Sequence, residues 1–195
     1  MKIVAATTNK GKVREFQEVL GGIGCEVVSM QDVGLNLEIE ETGSTYKENA
    51  LIKARAVSLL CDCAVMADDS GLCVDALDGA PGLYSARFAG DGATDEDRNQ
   101  KLLAAMRGVE NRHAEYVACI AFIFPDGREV TAEGKVEGEI MTEEHGSGGF
   151  GYDPLFYCTE IKKCFGLASP DEKNAVSHRG KALHELCEIL KKEVE

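Results

Sequence analysis

Short apolar runs alternate with longer amphipathic stretches over the first 70 residues, and this alternation constrains the fold more than any other feature. The apolar runs are KIVAAT at 2–7, CEVVSM at 25–30 and AVMA at 64–67. Each run has the length of a strand, whereas the stretches between them repeat apolar residues three and four positions apart, as helices do. The order strand, helix, strand, helix, strand is typical of α/β proteins.

Both intervening stretches carry local signals for the start of a helix. The first helix follows Asn9, which can cap it, and its apolar face is predicted to contain Val13, Phe16, Val19 and Leu20. The second helix covers 45–60, where Thr45 and Glu48 have the spacing of a capping box. The third apolar run, 64–67, is expected to end as a strand at Asp68.

The rest of the chain predicts further helices and one long hairpin. Residues 79–92 are glycine-rich and irregular, and 94–108 has the pattern of a capped helix. The segments 114–124 and 128–140 flank Pro125-Asp126-Gly127, which is the pattern of a long antiparallel hairpin. A loop at 145–156, a short helix at 169–176 and a last helix from about Ser177 complete the chain.

These elements predict a mixed-sheet α/β protein in which the hairpin contributes to a second lobe. No internal repeat, low-complexity tract or proline- and serine-rich linker interrupts the chain. We therefore predict one domain over 1–195, with two lobes and no boundary visible in the sequence.

The composition excludes several classes of partner. A formal net charge of −13 repels polyanions, so binding to nucleic acid or to an anionic membrane is not expected. No segment approaches the roughly 18 apolar residues of a membrane span, and the N-terminal apolar run is too short for a secretory signal. Eight cysteines without a C-x-x-C pair sit mostly among apolar neighbours. They predict reduced thiols in a cytoplasmic protein, with a zinc site as the less favoured alternative.

Two polar motifs lie where the strands of an α/β sheet end and helices begin, the usual place for ligands. TTNKGK at 7–12 offers polar groups, two lysines and a helix N-terminus to a phosphate, although Asn9 could simply cap the helix. The sequence Asp68-Asp69-Ser70-Gly71, together with Glu40-Glu41, offers oxygen ligands to a hard cation such as Mg²⁺. The alternative for the aspartates is an ordinary turn cap.

Two motifs later in the chain contain basic and aromatic side chains that could bind a ligand. In KNAVSHRGKAL, His178 and Arg179 fall in the first turn of the last helix, where cations oppose the helix dipole unless an anion or acceptor atom holds them. The alternative for His178 is an unremarkable surface position. SGGFGYDP at 147–154 offers aromatic faces and an aspartate, although glycine-rich loops are common.

Five segments occur together and in order: TTNKGKVREF, EETGSTYKENALIKA, ADDSGLCVDALDGAPGLYSARFAG, GSGGFGYDPLF and EKNAVSHRGKAL. Together they resemble the inosine triphosphate pyrophosphatase family, which hydrolyses non-standard purine nucleoside triphosphates. The resemblance covers residues 2–183. Thr8 departs from the pattern, because relatives often carry Gly or Asn there, and 110–144 matches only in pattern.

The resemblance implies a two-lobed fold with a mixed, twisted central sheet flanked by helices, an active site in the cleft between the lobes, and a homodimer. The implied reaction converts ITP, dITP or XTP to the monophosphate and pyrophosphate, with Mg²⁺ as cofactor and Mn²⁺ as a substitute. Asp69 would accept the proton of the attacking water. Asp69 and Glu41 would hold the metal, with Asp68 in support.

The resemblance also implies a set of substrate-binding residues. The triphosphate would be held by Thr7, Thr8, Asn9, Lys10, Gly11, Lys12 and Lys53. Ser70 would touch the nucleotide, and Phe150, Gly151, Tyr152 and Asp153 would hold base and sugar. Lys173, His178 and Arg179 would read the base. Such donors suit the 6-oxo acceptor of hypoxanthine or xanthine and would face the amino donor of adenine.

Two other functions compete with this hypothesis. A pyrophosphatase of pyrimidine triphosphates would have related architecture but no need for the donor-rich SHR element. A nucleotide-binding module without activity would need lysines and a stacking ring, but not the carboxylates Asp69 and Glu41. A substrate screen distinguishes a pyrimidine pyrophosphatase from a purine one. Release of pyrophosphate from ITP distinguishes an enzyme from a binding module.

Overall fold

The structure is a computed structural model that describes residues 1–194, with side chains described up to 192. The helices are α1 (Lys10–Gly21), α2 (Tyr46–Ser58), α3 (Asp95–Ala105), α4 (Pro170–Val176) and α5 (His178–Val194). The strands are β1 (Lys2–Ala5), β2 (Glu26–Ser29), β3 (Ala64–Val74), β4 (His113–Ile123), β5 (Glu129–Ile140), β6 (Phe156–Cys158) and β7 (Lys163–Cys164). Within the described chain, no helix is both long and apolar enough to cross a bilayer.

The strands form one mixed sheet in the order β2-β1-β3-β4-β5-β6-β7. β1 pairs in parallel with β2 and β3, whereas β6 pairs antiparallel with β5 and β7. β4 and β5 are neighbours joined by a tight turn, in which the Phe124 N–H donates to the Arg128 carbonyl at 2.9 Å. The mixed α/β sheet and the hairpin confirm the predicted fold class.

The expected end of the third strand at Asp68 is wrong, because β3 continues to Val74. Charged side chains usually end a buried strand, since an unpaired carboxylate costs several kcal/mol away from water. Asp68 and Asp69 avoid this cost because cations and an amide from other elements contact them, as described below. The capping box of α2 is also incomplete. Thr45 accepts the Glu48 N–H, but the Glu48 carboxylate accepts from the Ser44 N–H.

The chain forms two compact units, each assembled from separate segments, so that no linker marks a boundary in the sequence. The first contains Met1–Asp69, Ala118–Gly134 and the C-terminal helix from Arg179; the second contains Ser70–Val117 and Lys135–His178. The hairpin is therefore shared, with its turn in the first unit. The description as a single two-lobed domain over 1–195 stays a prediction.

The first unit buries β1 on both faces. Ile3 points to a cluster that contains Phe16 of α1 and Leu186 of α5, while Val4 belongs to a cluster with Ala54 of α2. Successive side chains of a strand point to opposite faces, so an unbroken apolar run is needed where helices cover both faces. This packing places the N-termini of α1 and α2 in the same unit as Asp68 and Asp69.

The core of the second unit is formed by α3, the remaining parts of β3–β5, the strand β6 and Phe165. Leu102 of α3 and Phe156 of β6 are fully buried in it. α3 begins at Thr94, whose side chain accepts from the Asp97 N–H in a capping box, and α4 begins at Ser169 in the same way. Both predicted N-caps are confirmed.

Candidate functional site

Two consecutive buried carboxylates in the first unit form the centre of the candidate site. Asp68 and Asp69 are exposed by only 1% and 6%. Because neighbours in a strand point to opposite faces, the two side chains have different partners. Asp68 contacts Lys12 and Arg179, whereas Asp69 contacts Lys53 and Asn49. This separation explains how two adjacent acids persist in a buried strand.

The Asp68 carboxylate belongs to a buried ion network. It accepts two hydrogen bonds from Arg179, at 3.1 and 3.2 Å, and lies 2.5 Å from Lys12 Nζ. Arg179 also donates to Glu15 of α1 at 2.6 Å. Burial opposes ionisation of Asp68, but Arg179 and Lys12 outweigh it and hold its pKa well below the usual range. Asp68 is therefore a permanent anion.

The Asp69 carboxylate faces a lysine that it shares with a second acid. Lys53 Nζ lies 3.1 Å from Asp69 Oδ1 and 2.6 Å from Glu41 Oε1. Burial raises the pKa of Asp69, and the charge of Glu41 adds to the rise while Lys53 opposes it. Burial would lower the pKa of Lys53, but Asp69 and Glu41 raise it. Asp69 is thus more basic than an ordinary aspartate and lies beside a fixed cation.

The donor set of this cluster fits a hard divalent cation. Asp69 and Glu41 supply carboxylate oxygens to one shared cation, which here is the Lys53 ammonium. Among the described residues, no three His, Cys, Asp or Glu side chains are grouped into a metal cage. Mg²⁺ does not need such a cage, because it commonly binds through one or two carboxylates together with substrate phosphates and water.

The turn before α1 uses its polar groups locally. Asn9 Oδ1 accepts from the N–H groups of Gly11 and Lys12, at 2.9 and 3.2 Å, and Thr7 Oγ1 accepts from the Asn9 N–H. Asn9 is therefore the helix cap that the sequence left open as an alternative. Phosphate binding by this turn, which stays a prediction, would depend mainly on side chains rather than on these amides.

An open groove of about 290 Å³ in the same unit is lined in part by α1. It is lined by Thr8, Lys10, Val13, Arg14, Gln17, Ser29, Gln31 and Asp32. Thr8 and Lys10 line this groove, whereas Lys12 contacts Asp68. The motif at 7–12 thus supplies side chains to two places.

In the second unit, an ion pair organises the glycine-rich loop. Asp153 is buried and accepts from the Phe150 N–H at 2.9 Å and from Lys173 Nζ at 2.6 Å. The same ammonium lies 4.6 Å from the centroid of the Phe150 ring. A Cβ at Gly149 would lie 2.0 Å from Asp153 Oδ2, so only glycine fits there. The structure therefore brings Phe150, Asp153 and Lys173 together, while their substrate-binding roles stay predictions.

The loop is also tied to the rest of its unit at Gly151 and Tyr152. The Gly151 N–H donates to Asp95 of α3 at 2.7 Å, and the Tyr152 hydroxyl donates to the Ser85 carbonyl at 2.7 Å. These two bonds, with Asp153, hold three consecutive residues of the loop. Ser70 also lies in this unit, partly buried in β3.

His178 is a buried ring, so the alternative of a surface histidine is wrong. It is 3% exposed and stacks on Tyr116, with ring centroids 4.5 Å apart and planes 6° apart. The stack aligns the imidazole with the second unit's aromatic core, since Tyr116 also packs against Phe156. His178 begins α5, and the next residue is Arg179.

Sequence reasoning missed several partners of these residues. Glu15 and Asp95 read as ordinary helix positions and Tyr116 reads as part of a strand, whereas Asn49 is expected to face the site together with Lys53, one helical turn away. The available signal is helical spacing: Glu15 follows Lys12 by three residues and Asn49 precedes Lys53 by four, so each shares a helix face with a predicted site residue. Their contacts with β3 and α5 depend on the tertiary structure.

All eight cysteines are thiols in the described structure. Burial raises the pKa of Cys119 to about 12, and it also raises the pKa values of Cys164 and Cys187. Thiols of this kind are poor nucleophiles at neutral pH because the thiolate is scarce. These three cysteines therefore behave as small apolar residues.

An α/β scaffold that brings together a buried aspartate of raised pKa, a second acid and a lysine has the groups that metal-assisted hydrolysis of phosphate anhydrides needs. Comparison with known proteins identifies the family. A family model described as "Ham1 family" matches residues 3–189, and the chain belongs to this family.

Curated and solved relatives agree with the assignment. A protein of Desulforamulus reducens named dITP/XTP pyrophosphatase is 50% identical over 192 residues, covering 97% of this chain and 96% of the relative. The structure of a HAM1 protein from Coxiella burnetii is 40% identical with a TM-score of 0.87, and covers 98% of this chain and 99% of that one. The Staphylococcus aureus Ham1 protein is 38% identical with a TM-score of 0.86, covering 99% and 100%. The resemblance stated from the motifs is confirmed.

Proposed function

We propose that this protein hydrolyses ITP, dITP and XTP to the monophosphate and pyrophosphate and so removes non-standard purines from the nucleotide pool. Relatives named dITP/XTP pyrophosphatase support this substrate class. The observation that carries the reaction is Asp69, a buried carboxylate of raised pKa held between Lys53 and Asn49.

In the proposed reaction, Asp69 accepts a proton from the water that attacks the α-phosphorus. The new P–O bond forms as the bond from the α-phosphorus to the bridging oxygen breaks, and its electron pair leaves with pyrophosphate. Mg²⁺, held by Asp69 and Glu41, would supply positive charge to the phosphate oxygens. Lys12 and Lys53 would add fixed cations that stabilise the charge of the departing group.

The second unit is proposed to bind the base. Phe150 would stack on the purine, and Asp153 fixes its backbone. Lys173 pairs with Asp153 of this loop, and His178 lies in the same unit. Both side chains carry N–H donors, which suit the 6-oxo group of hypoxanthine and xanthine. Arg179 is proposed as a further donor to the base, and its hydrogen bonds to Asp68 and Glu15 already use at least three of its five N–H groups.

Two further properties belong to this proposal. The protein is proposed to work in the cytoplasm, where the nucleotide pool lies, and its buried thiols fit a reducing compartment. It is also proposed to form a homodimer. Size-exclusion chromatography with light scattering measures that state, and a monomer across working concentrations would contradict it.

Product analysis tests the reaction. ITP is incubated with the purified protein and Mg²⁺, and the products are separated by ion-exchange chromatography. IMP and pyrophosphate are expected in equal amounts. IDP and inorganic phosphate would instead show attack at the γ-phosphorus and would contradict the assignment.

Asp69→Asn tests the proton acceptor. Asparagine keeps the shape of aspartate but lacks its basic oxygen and charge, so kcat for ITP should fall by roughly 100-fold or more. Asp62→Asn is the matched control, because Asp62 is exposed and outside both clusters. Equal kcat for the two variants would contradict the role of Asp69.

A further inference from the structure

We propose that Asn49 is a positioning residue that aims the Asp69 carboxylate, and that residue 43 is glycine because this amide needs its backbone at close range. The inference rests on the proposed function, since it takes Asp69 to be the proton acceptor. Asn49 lies in α2, one turn before Lys53, and is 3% exposed.

The amide of Asn49 bridges two groups. The Gly43 N–H donates to Asn49 Oδ1 at 2.8 Å, and Asn49 Nδ2 donates to Asp69 Oδ2 at 3.2 Å. A backbone N–H can only donate, so the amide oxygen must face Gly43 and the amide nitrogen must face Asp69. The flipped amide would lose both bonds. The orientation of Asn49 is therefore determined by its surroundings.

This bridge fixes the plane of the carboxylate. Asp69 Oδ2 accepts from Asn49 while Oδ1 accepts from Lys53, so each oxygen is held by a residue of the same helix. An ionised carboxylate has about four acceptor sites, and two bonds leave capacity for the proton of a water molecule. Asn49 thus restrains rotation of the carboxylate and leaves acceptor sites of Asp69 available for the proton.

Glycine at residue 43 allows the backbone to approach the Asn49 amide closely. A Cβ at residue 43 would lie 2.7 Å from Asn49 Oδ1 and 2.7 Å from the Cβ of Glu48. Glu48 Cβ and the Asn49 backbone nitrogen, 3.0 Å away, belong to the helix and cannot swing aside, so residue 43 would itself shift away from α2 and weaken its bond to Asn49 Oδ1. Gly43→Ala is therefore expected to disturb Asp69 through Asn49.

The test compares variants in steady-state hydrolysis of ITP with Mg²⁺. Asn49→Ala removes both bonds, and kcat should fall by about 10- to 100-fold, as for other residues that orient a reactive group. KM should change by less than about threefold, since no substrate contact is removed. Asn49→Asp keeps shape and the Gly43 bond but presents a carboxylate to Asp69, so its loss of kcat should be at least as large.

A helix-cap variant and a double variant separate positioning from stability. Thr45→Ala removes the N-cap of the same helix without touching Asp69, so it should lower the melting temperature but leave kcat unchanged. On the Asp69→Asn background, Asn49→Ala should cause no further loss, because Asn49 acts only through Asp69.

The outcomes are distinguishable. If Asp69→Asn is impaired but Asn49→Ala keeps the wild-type kcat, the positioning role of Asn49 is overturned and the proton acceptor stands. Equal loss of kcat in Asn49→Ala and Thr45→Ala would show that Asn49 only stabilises α2. Wild-type kcat in Asp69→Asn overturns the proton acceptor itself. If Asn49→Ala does not fold, Asn49→Asp and Gly43→Ala carry the test, and normal kcat in both overturns the inference.

Discussion

Arg179→Met should destabilise this protein far more than loss of a surface arginine. Methionine fills similar space but removes the guanidinium that bonds Asp68 at 3.1 and 3.2 Å and Glu15 at 2.6 Å. Asp68 and Glu15 are only 1% and 4% exposed, so water cannot replace the lost cation. Lys12, 2.5 Å from Asp68, would remain as a counter-charge.

The magnitude follows from the burial of the network. Removing one partner of a buried ion pair typically costs about 3–5 kcal/mol, because the remaining charge stays buried. For a chain of this length, 1 kcal/mol corresponds to roughly 2–4 °C of melting temperature. The full range is therefore roughly 6–20 °C. Because Lys12 still neutralises Asp68, we expect a cost near the lower limit of about 3 kcal/mol, which corresponds to about 6–12 °C.

Thermal unfolding followed by circular dichroism, without nucleotide or metal, measures this loss. Arg55→Met is the matched control, because Arg55 makes a two-bonded ion pair with Glu129 at 2.7 Å on the surface. Exposed pairs contribute about 0–1 kcal/mol, so the control should shift by no more than about 4 °C.

The stabilisation by the Asp68–Arg179 pair should depend on pH in one direction. Arg179 and Lys12 depress the pKa of Asp68 against the effect of burial, so the pair stabilises the fold above the unfolded pKa of about 3.9. That contribution is lost as pH falls towards the folded value. The difference between wild type and Arg179→Met should therefore be largest near neutral pH and should narrow below about pH 4.

A shift in Arg179→Met no larger than in Arg55→Met would refute the reasoning. It would mean that the carboxylates relax into water or protonate at little cost. Arg179→Lys adds a check, because lysine keeps the charge but cannot form the two-bonded fork. Its melting temperature should lie between those of wild type and Arg179→Met.

Three further outcomes are expected. Excess EDTA should abolish ITP turnover and added Mg²⁺ should restore it; full turnover in EDTA would contradict a metal held by Asp69 and Glu41. Phe150→Ala should raise KM for ITP by the equivalent of about 1–3 kcal/mol, the usual worth of base stacking, whereas Tyr84→Ala, at an exposed ring, should not. Arg179→Ala should lower kcat/KM for ITP by a factor equivalent to about 1–3 kcal/mol of transition-state stabilisation, and should lower kcat/KM for ATP by a smaller factor. If Arg179→Ala lowers kcat/KM by the same factor for ITP and ATP, Arg179 does not select the base and its role is structural.

Local patterns in the sequence were sufficient for the helices, the first strands, the hairpin and the fold class, but not for β6, β7 or the full length of β3. The apolar runs at 2–7, 25–30 and 64–67 all lie in or around parallel strands, Thr94 and Ser169 cap helices as predicted, and Asn9 caps α1 as the alternative for that motif had it. These features depend on neighbours within a few residues, so the chain alone carries them. The motifs also indicated Asp69 and Phe150 as candidates from their residue types, and the resemblance to the family added Lys53.

The partners that determine how those residues work were visible only in the tertiary structure. Glu15 and Arg179 are separated by 164 positions, and Asp68 and Arg179 by 111, yet each pair forms a buried hydrogen bond. The continuation of β3 past Asp68 has the same cause, because carboxylates stay in a buried strand only when distant cations neutralise them. Sequence spacing predicts which side chains share a helix face, but the charges they meet across the fold depend on how the elements pack.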